Sequence, residues 1–264
     1  MVDSAAECRQ PGETEASGLV LLSVPAFRQI FAFSGLLRTE PSQRNSFDLI
    51  EHAVSLAGAA ERKRLCYLPT AVGDSQASID QMAAAFEGRP DVEFSVLRLF
   101  TQPSVPDVRG HLLSRDVLLV EGGSVVNLIA VWRAHGLAEI MRACWDAGVV
   151  LAGWSAGSIC WHRGGPTDSL SDSLDAFSDG LGLVPYSNGV HDDFDGQPRR
   201  HVYRRLIAEH ALPAGYASED GVGLHYVGAD LVEAVSIVPG KRAWWVEPAP
   251  NGGFRQRAIE TRPI

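Results

Sequence analysis

The stretch that most constrains this chain runs from Val149 to Trp161. An apolar run, Val149-Val150-Leu151-Ala152, ends at glycine and passes directly into Gly153-Trp154-Ser155-Ala156-Gly157. The run reads as a short buried strand. The five residues after it have the G-x-S-x-G spacing of a nucleophile elbow, in which the chain turns sharply from strand to helix with serine at the apex. Glycines two residues either side leave room for the turn and for close packing of strand on helix. The turn exposes the Ser155 hydroxyl and sets the Ala156 N–H at a helix start, where it can stabilise an oxyanion. A glycine-flanked turn with an incidental serine shares the short pattern. The strand before it and the helix after it favour the nucleophile.

The segments around the elbow repeat one theme. Strands are expected at Arg28–Phe33, Arg64–Pro69, Val92–Leu99, Val117–Glu121 and Val149–Gly153, from short apolar, β-branched runs. Helices are expected from Ser46 to Gly58, over Ser78–Phe86, around Leu112, and over Asn127–His135 and Leu137–Ala147. Strands alternating with helices across short glycine or proline breaks predict a parallel sheet covered on both faces. Active sites of such sheets lie beyond the carboxyl ends of the strands, where Gly122-Gly123 and Ser155 both fall.

The second half changes character. Gly164–Gly182 is rich in Asp, Ser and Gly and reads as a long loop, which in a compact domain is usually functional. Pro198–Glu209 reads as a helix with proline near its first position. Short strands are expected at Gly223–Val227, Leu231–Val238 and Arg242–Val246, the last two joined by Pro239-Gly240.

At 264 residues with 45% hydrophobic content, the chain suits one large domain, expected over 19–250. Residues 1–18 carry four acidic groups against one arginine and are expected to be a disordered extension, with no signal-peptide pattern. Residues 251–264 are expected to be a C-terminal tail. A net charge of −9 argues against a nucleic-acid or anionic-membrane partner, and no apolar run is long enough to span a bilayer. Of four cysteines, Cys66, Cys144 and Cys160 lie in apolar segments and none forms a C-x-x-C pair. Reduced, buried thiols and a cytoplasmic location are the corresponding expectations. His162, His191, His201, His210 and His225 show no zinc-ligand spacing, so neither a metal nor a cofactor is expected.

A serine nucleophile needs a base and an orienting acid. Eight histidines and many carboxylates leave that choice open on residue type alone. A set of ordered motifs narrows it. Val120-Glu121-Gly122-Gly123, Asn127 to Leu137, the elbow through Trp161, Thr167-Asp168-Ser169, Asp179 to Pro185, Asp195 to Arg200, Gly215-Tyr216-Ala217, Asp220-Gly221 and Leu224-His225 together resemble the peptidase E (aspartyl dipeptidase) family of serine peptidases. The resemblance covers about residues 28 to 247. It implies an α/β fold similar to the class I glutamine amidotransferases: a flavodoxin-like three-layer sandwich with a mainly parallel central sheet and a nucleophile elbow. Those enzymes carry cysteine where this chain carries Ser155.

Carried over residue by residue, the resemblance implies His191 as general base and Asp220 as the orienting carboxylate, with Asp168 as competitor for that role. Either aspartate could equally be a turn or capping residue. The resemblance further implies an oxyanion hole from the Gly123 and Ala156 N–H groups, with Gly122 and Ser124 beside the substrate. Arg199 would hold the acidic side chain of an N-terminal aspartate; Arg199, Arg200, Arg204 and Arg205 could instead form one solvated helix face.

Three departures from the family stand out. Its glycine-rich loop after the first strand is here Ser34-Gly35-Leu36-Leu37-Arg38, its Gly-Gly-Asn-Thr is Gly122-Gly123-Ser124-Val125, and its Pro-His-Tyr-Asp-Gly-Glu is Val190-His191-Asp192-Asp193-Phe194-Asp195-Gly196-Gln197. Asp192 and Asp193 are expected to raise the basicity of His191 and to disfavour an anionic group nearby. The resulting expectation is a monomeric or homodimeric serine peptidase cleaving small acidic peptides through an acyl-enzyme on Ser155. Hydrolysis of another amide or isopeptide (cyanophycinase-like) and a catalytically silent ligand-binding role are the alternatives.

Overall fold

A computed structural model describes Met1, residues 27–35 and residues 46–264. The expected N-terminal extension and most of the altered loop after the first strand lie outside these residues.

Among the described residues, the central sheet has eight strands. Five run parallel: β1 (Gln29–Phe33), β2 (Lys63–Leu68), β3 (Val92–Val96), β4 (Val117–Val120) and β5 (Val150–Trp154). Helices α1 (Phe47–Ser55), α2 (Gln76–Phe86), α3 (Val108–Leu113), α4 (Val125–Ala134) and α5 (Leu137–Asp146) connect them, and the four-residue α6 (Ala156–Ile159) follows β5. The strand runs are apolar throughout because both faces are covered. Successive residues alternate between two cores: Ile30, Ala32, Leu118 and Leu151 face α3, α4 and α5, while Phe31, Phe33, Leu119 and Ala152 face α1 and α2. The result is a three-layer α/β sandwich.

Beyond the elbow the chain forms β6 (Gly165–Thr167), β7 (Asp175–Phe177), β8 (Ser187–Gly189), α7 (Arg199–Ala208), β9 (Gly215–Ser218), β10 (Val222–Val227), β11 (Asp230–Ser236), β12 (Ala243–Pro248), β13 (Phe254–Ile259) and β14 (Arg262–Pro263). The central sheet runs β14-β11-β10-β1-β5-β4-β2-β3, with β10 antiparallel to β1. A second sheet runs β13-β12-β9-β8.

Two expectations change here. The segment 164–182 is not one long loop: β6 and β7 pair as an antiparallel hairpin within it. Their three-residue strands are too short and too polar to show a period in sequence. As expected, the segment with Pro239-Gly240 joins two strands, and it carries the chain from β11 in the central sheet to β12 in the second one. Residues 254–263 are not a tail: β13 pairs with β12 over six residues and β14 closes onto β11. Most of β13 is exposed, so its sequence lacks the apolar alternation of a half-buried strand.

The elbow is sealed by backbone, not side chains. A Cβ on Gly157 would lie 2.2 Å from the Val120 carbonyl oxygen, and one on Gly153 would lie 2.4 Å from the Gly157 oxygen. Below it, His162 ties the end of the elbow segment to β10. Its Nδ1–H donates to the Ser158 carbonyl at 2.9 Å, and its Nε2 accepts from the Tyr226 hydroxyl at 3.2 Å. Burial, only partly offset by the Ser158 bond, lowers its pKa to about 4. Cys66, Cys144 and Cys160 are buried thiols, and burial pushes Cys66 up to about 12 and Cys144 to about 11.

This packing can be tested at two residues. Gly157→Ala forces backbone apart at the β4–β5 junction and should destabilise the fold by about 1–3 kcal/mol or more, read as a lowered urea midpoint. His162 binds its proton less readily in the folded than in the unfolded chain, so stability falls as pH drops from about 6.5 toward about 4. His162→Gln should flatten that part of the stability–pH curve; a curve of unchanged slope would assign the loss to other groups.

Candidate active site

Ser155 sits at the junction of β5 and α6 with φ 54° and ψ −115°, a conformation rarely adopted by residues other than glycine. Its N–H donates to the Phe33 carbonyl at 3.2 Å, and its carbonyl accepts from the Ser158 and Ile159 N–H groups at 2.9 Å each. These bonds hold the strained residue from strand and helix together. The Ala156 N–H belongs to the first turn of α6, where amides lack intrahelical acceptors. Gly122 packs so near that its missing Cβ would lie 3.0 Å from the Ser155 Cβ. Gly123 has φ 133°, and its own Cβ would strike the Ala71 carbonyl oxygen at 2.5 Å. Position 123 therefore requires glycine, and a side chain at 122 would need Trp154 or Ser155 to shift. Ser124 is occupied otherwise: its hydroxyl accepts the Asn127 N–H at 3.2 Å as the N-cap of α4.

His191 and Asp220 arrive from the second sheet. The parallel strands β8 and β9 pair Gly189 with Ala217, so the two chain segments leave the sheet side by side. The His191 Nδ1–H then donates to Asp220 Oδ1 at 2.6 Å. His191 is almost wholly buried and has φ 57°. Its Nε2 is buried and has no hydrogen-bond partner among the described residues. Ser155 and His191 line the same cavity of about 430 Å³, together with Gly122, Gly123 and Trp154. An imidazole fixed at one nitrogen by a carboxylate, with the other nitrogen open toward a serine cavity, can take and return a proton.

Ser34 and Asp193, to which the sequence assigns no positioning role, hold this pair. The Ser34 hydroxyl, at the carboxyl end of β1, accepts the His191 N–H at 2.9 Å and hydrogen-bonds Ser218. The Ser34 carbonyl also accepts the Gly221 N–H at 2.9 Å. Asp193 Oδ1 accepts the Asp220 N–H at 2.8 Å while Lys241 pairs with its other oxygen. The only signal for Ser34 was its place at a strand's carboxyl end; its partners lie more than 150 residues away, at His191 (157 residues) and Ser218 (184 residues).

Asp168 does not hydrogen-bond His191. Its Oδ2 accepts from Gln197 Nε2 at 2.9 Å and lies 3.5 Å from an Arg199 nitrogen. Burial works against the Asp168 charge, but Gln197 and Arg199 more than offset it and hold its pKa below the usual carboxylate range. The same contact explains glutamine at 197, since its amide can donate to a carboxylate where glutamate would repel one. Asp192 and Asp193 do not lend His191 free negative charge. Asp192, almost fully buried, pairs with Arg200 at 2.9 Å and with Arg204, and Asp193 is taken by Lys241.

The four arginines of α7 are likewise not one solvated face. Arg199 and Arg204 are buried, whereas Arg200 and Arg205 face outward. Arg199 keeps a buried Nε with no hydrogen-bond partner among the described residues. Burial lowers its pKa against the pull of Asp168 and Asp220.

Residues 34–234 match the sequence profile of the family described as peptidase family S51. A protein of Bacillus subtilis (strain 168) named "uncharacterized peptidase YgaJ" is 41% identical over 192 residues, spanning 72% of this chain and 81% of that protein. Two crystal structures share the fold at low identity. One, described as a candidate peptidase E protein from Listeria monocytogenes EGD-e, superposes with a TM-score of 0.58 at 17% identity, covering 80% of this chain and 99% of that one. The other, a peptidase from an acI-B1 Actinobacterium, gives 0.64 at 15% identity, covering 89% and 98%.

Removing the β1 hydroxyl tests what holds the histidine segment. Ser34→Ala leaves the buried His191 N–H without its acceptor and should cost about 1–3 kcal/mol in urea unfolding. An unchanged midpoint would mean that the segment is held by other bonds.

Proposed function

The chain belongs to peptidase family S51 and is a peptidase of the serine type, and on that premise we propose that it hydrolyses small peptides with an acidic N-terminal residue through an acyl-enzyme on Ser155. The observation that carries this reading is the buried His191–Asp220 pair, bonded at 2.6 Å, with Nε2 unpartnered and the imidazole lining the cavity of Ser155.

In this mechanism His191 Nε2 accepts the Ser155 proton as Oγ attacks the scissile carbonyl carbon. Asp220 keeps the proton on Nδ1 and stabilises the imidazolium that forms. Negative charge developing on the carbonyl oxygen is met by the Gly123 and Ala156 N–H groups, whose positions are set before substrate arrives. The imidazolium then protonates the leaving amine. A water, deprotonated by His191, releases the acyl group and restores Ser155.

Arg199 is the group best suited to an acidic N-terminal residue. Its buried guanidinium has an unused N–H, and a carboxylate can complete the fork. Asp168, itself held by the Gln197 amide, pairs with the guanidinium through another of its nitrogens. A neutral substrate residue would leave the unused nitrogen unsatisfied, which is a strong basis for discrimination.

The test is turnover of dipeptides beginning with Asp, Glu, Asn and Ala, run beside Ser155→Ala. The Asp peptide should lead, Ser155→Ala should be inactive, and Asp220→Asn should lower kcat by about 10³–10⁴-fold through loss of the correct imidazole tautomer. Arg199→Met should bring the Asp and Ala peptides to similar kcat/KM. No turnover of any peptide, with no labelling of Ser155 by a fluorophosphonate, would sink the hydrolase mechanism.

A further inference from the structure

The cavity beside Ser155 has a chemistry that recognition at Arg199 leaves unused. Phe33, Phe47, Ile50, Met82 and Trp154 form apolar walls, and its only titratable lining groups among the described residues are His191 and Glu121. Neither Arg199 nor Asp168 lines it. Glu121 enters at the carboxyl end of β4, immediately before the Gly122-Gly123 turn. The Tyr67 and Ser78 side chains hydrogen-bond its carboxyl group, yet burial prevails and raises its pKa. Its Oε2 is buried and has no hydrogen-bond partner among the described residues.

An acid in this position is costly without a donor. No described lysine or arginine lines the cavity to supply one. A ligand group that brings its own charged donor would satisfy the oxygen and be favoured by the low-dielectric surroundings. The apolar walls add a second requirement, an aliphatic stem that can lie against them. Trp154 offers an aromatic surface to the same cation.

We propose that this cavity is the subsite for a lysine or arginine side chain, with its methylenes on the apolar walls and its ammonium or guanidinium at Glu121. The proposal rests on the reading that Arg199 holds the acidic N-terminal residue. Arg199 does not line this cavity, so in a dipeptide the side chain it holds and the one seated at Glu121 belong to different residues. The cationic side chain therefore belongs to the leaving-group residue, and the preferred dipeptides are acidic–basic. Glu121 is the specificity-determining residue of that subsite, and takes no part in bond cleavage.

Binding of four dipeptides to Ser155→Ala, measured by calorimetry, separates the two recognition claims: Asp-Lys, Asp-norleucine, Ala-Lys and Ala-norleucine. Norleucine keeps the lysine stem and removes the charge. Lysine should bind about tenfold more tightly than norleucine behind either first residue, as a charge-assisted bond predicts. Adding Glu121→Gln should bring that ratio near one and leave the Asp-to-Ala ratio unchanged. Equal binding of lysine and norleucine peptides would overturn the proposal, as would a ratio that survives Glu121→Gln or an absence of binding by all four. Loss of the Asp-to-Ala ratio alone would instead overturn recognition at Arg199. If Glu121→Gln fails to fold, the lysine-to-norleucine ratio in Ser155→Ala decides the matter by itself.

Discussion

Everything in the site depends on how closely three backbone segments approach one another beneath Ser155. The Val120 carbonyl at the end of β4 faces Gly157, and Gly157 faces Gly153, at separations that exclude even a methyl group. That contact forces the turn from β5 into α6 and puts Ser155 at φ 54°. The cost of that conformation is carried by the surrounding hydrogen bonds to Phe33, Ser158 and Ile159. The same approach brings the Gly122-Gly123 turn against Ser155. The proposed nucleophile and the proposed oxyanion donors are thus fixed by one packing event.

The histidine and its carboxylate come from a different sheet, and the two sheets meet at Ser34. Its side chain and backbone bond the segments after β8 and after β9 to the end of β1. Around this join lies a shell of paired charges: Asp193 with Lys241, Asp192 with Arg200 and Arg204, and Glu219 with Arg200. These pairs are positional. They place the loop carrying His191 without adding uncompensated charge beside it, because every one of these carboxylates is paired with a cation, Arg200 bridging two of them. Beside this shell, the Arg199 Nε and the Glu121 Oε2 are buried with no hydrogen-bond partner among the described residues.

Much of this was legible in the sequence because it is written in local patterns. The strands β1, β2, β4 and β5 announce themselves as apolar runs, since a parallel sheet buried on both faces needs no polar alternation. The elbow is readable for a steric reason: only glycine tolerates the backbone contacts at 153 and 157. Family resemblance pointed to His191 and Asp220, which residue type alone left among eight histidines and many carboxylates, and the two are hydrogen-bonded.

Tertiary structure decided the rest, wherever the partner lies far along the chain. That Asp220 rather than Asp168 hydrogen-bonds His191 turned on the parallel pairing of β8 with β9, three- and four-residue strands with no readable period. Asp168 was drawn to Gln197 and Arg199 once α7 packed beside the β6–β7 hairpin. Burial of Arg199 and Arg204, exposure of Arg200 and Arg205, and the closing strands β13 and β14 all depend on what packs against them. Sequence by itself determined the sandwich and its elbow, because short-range sterics and hydrophobic period encode them. Only the folded chain decided which charges face each other, because an ion pair depends on distance in space and leaves no period in sequence.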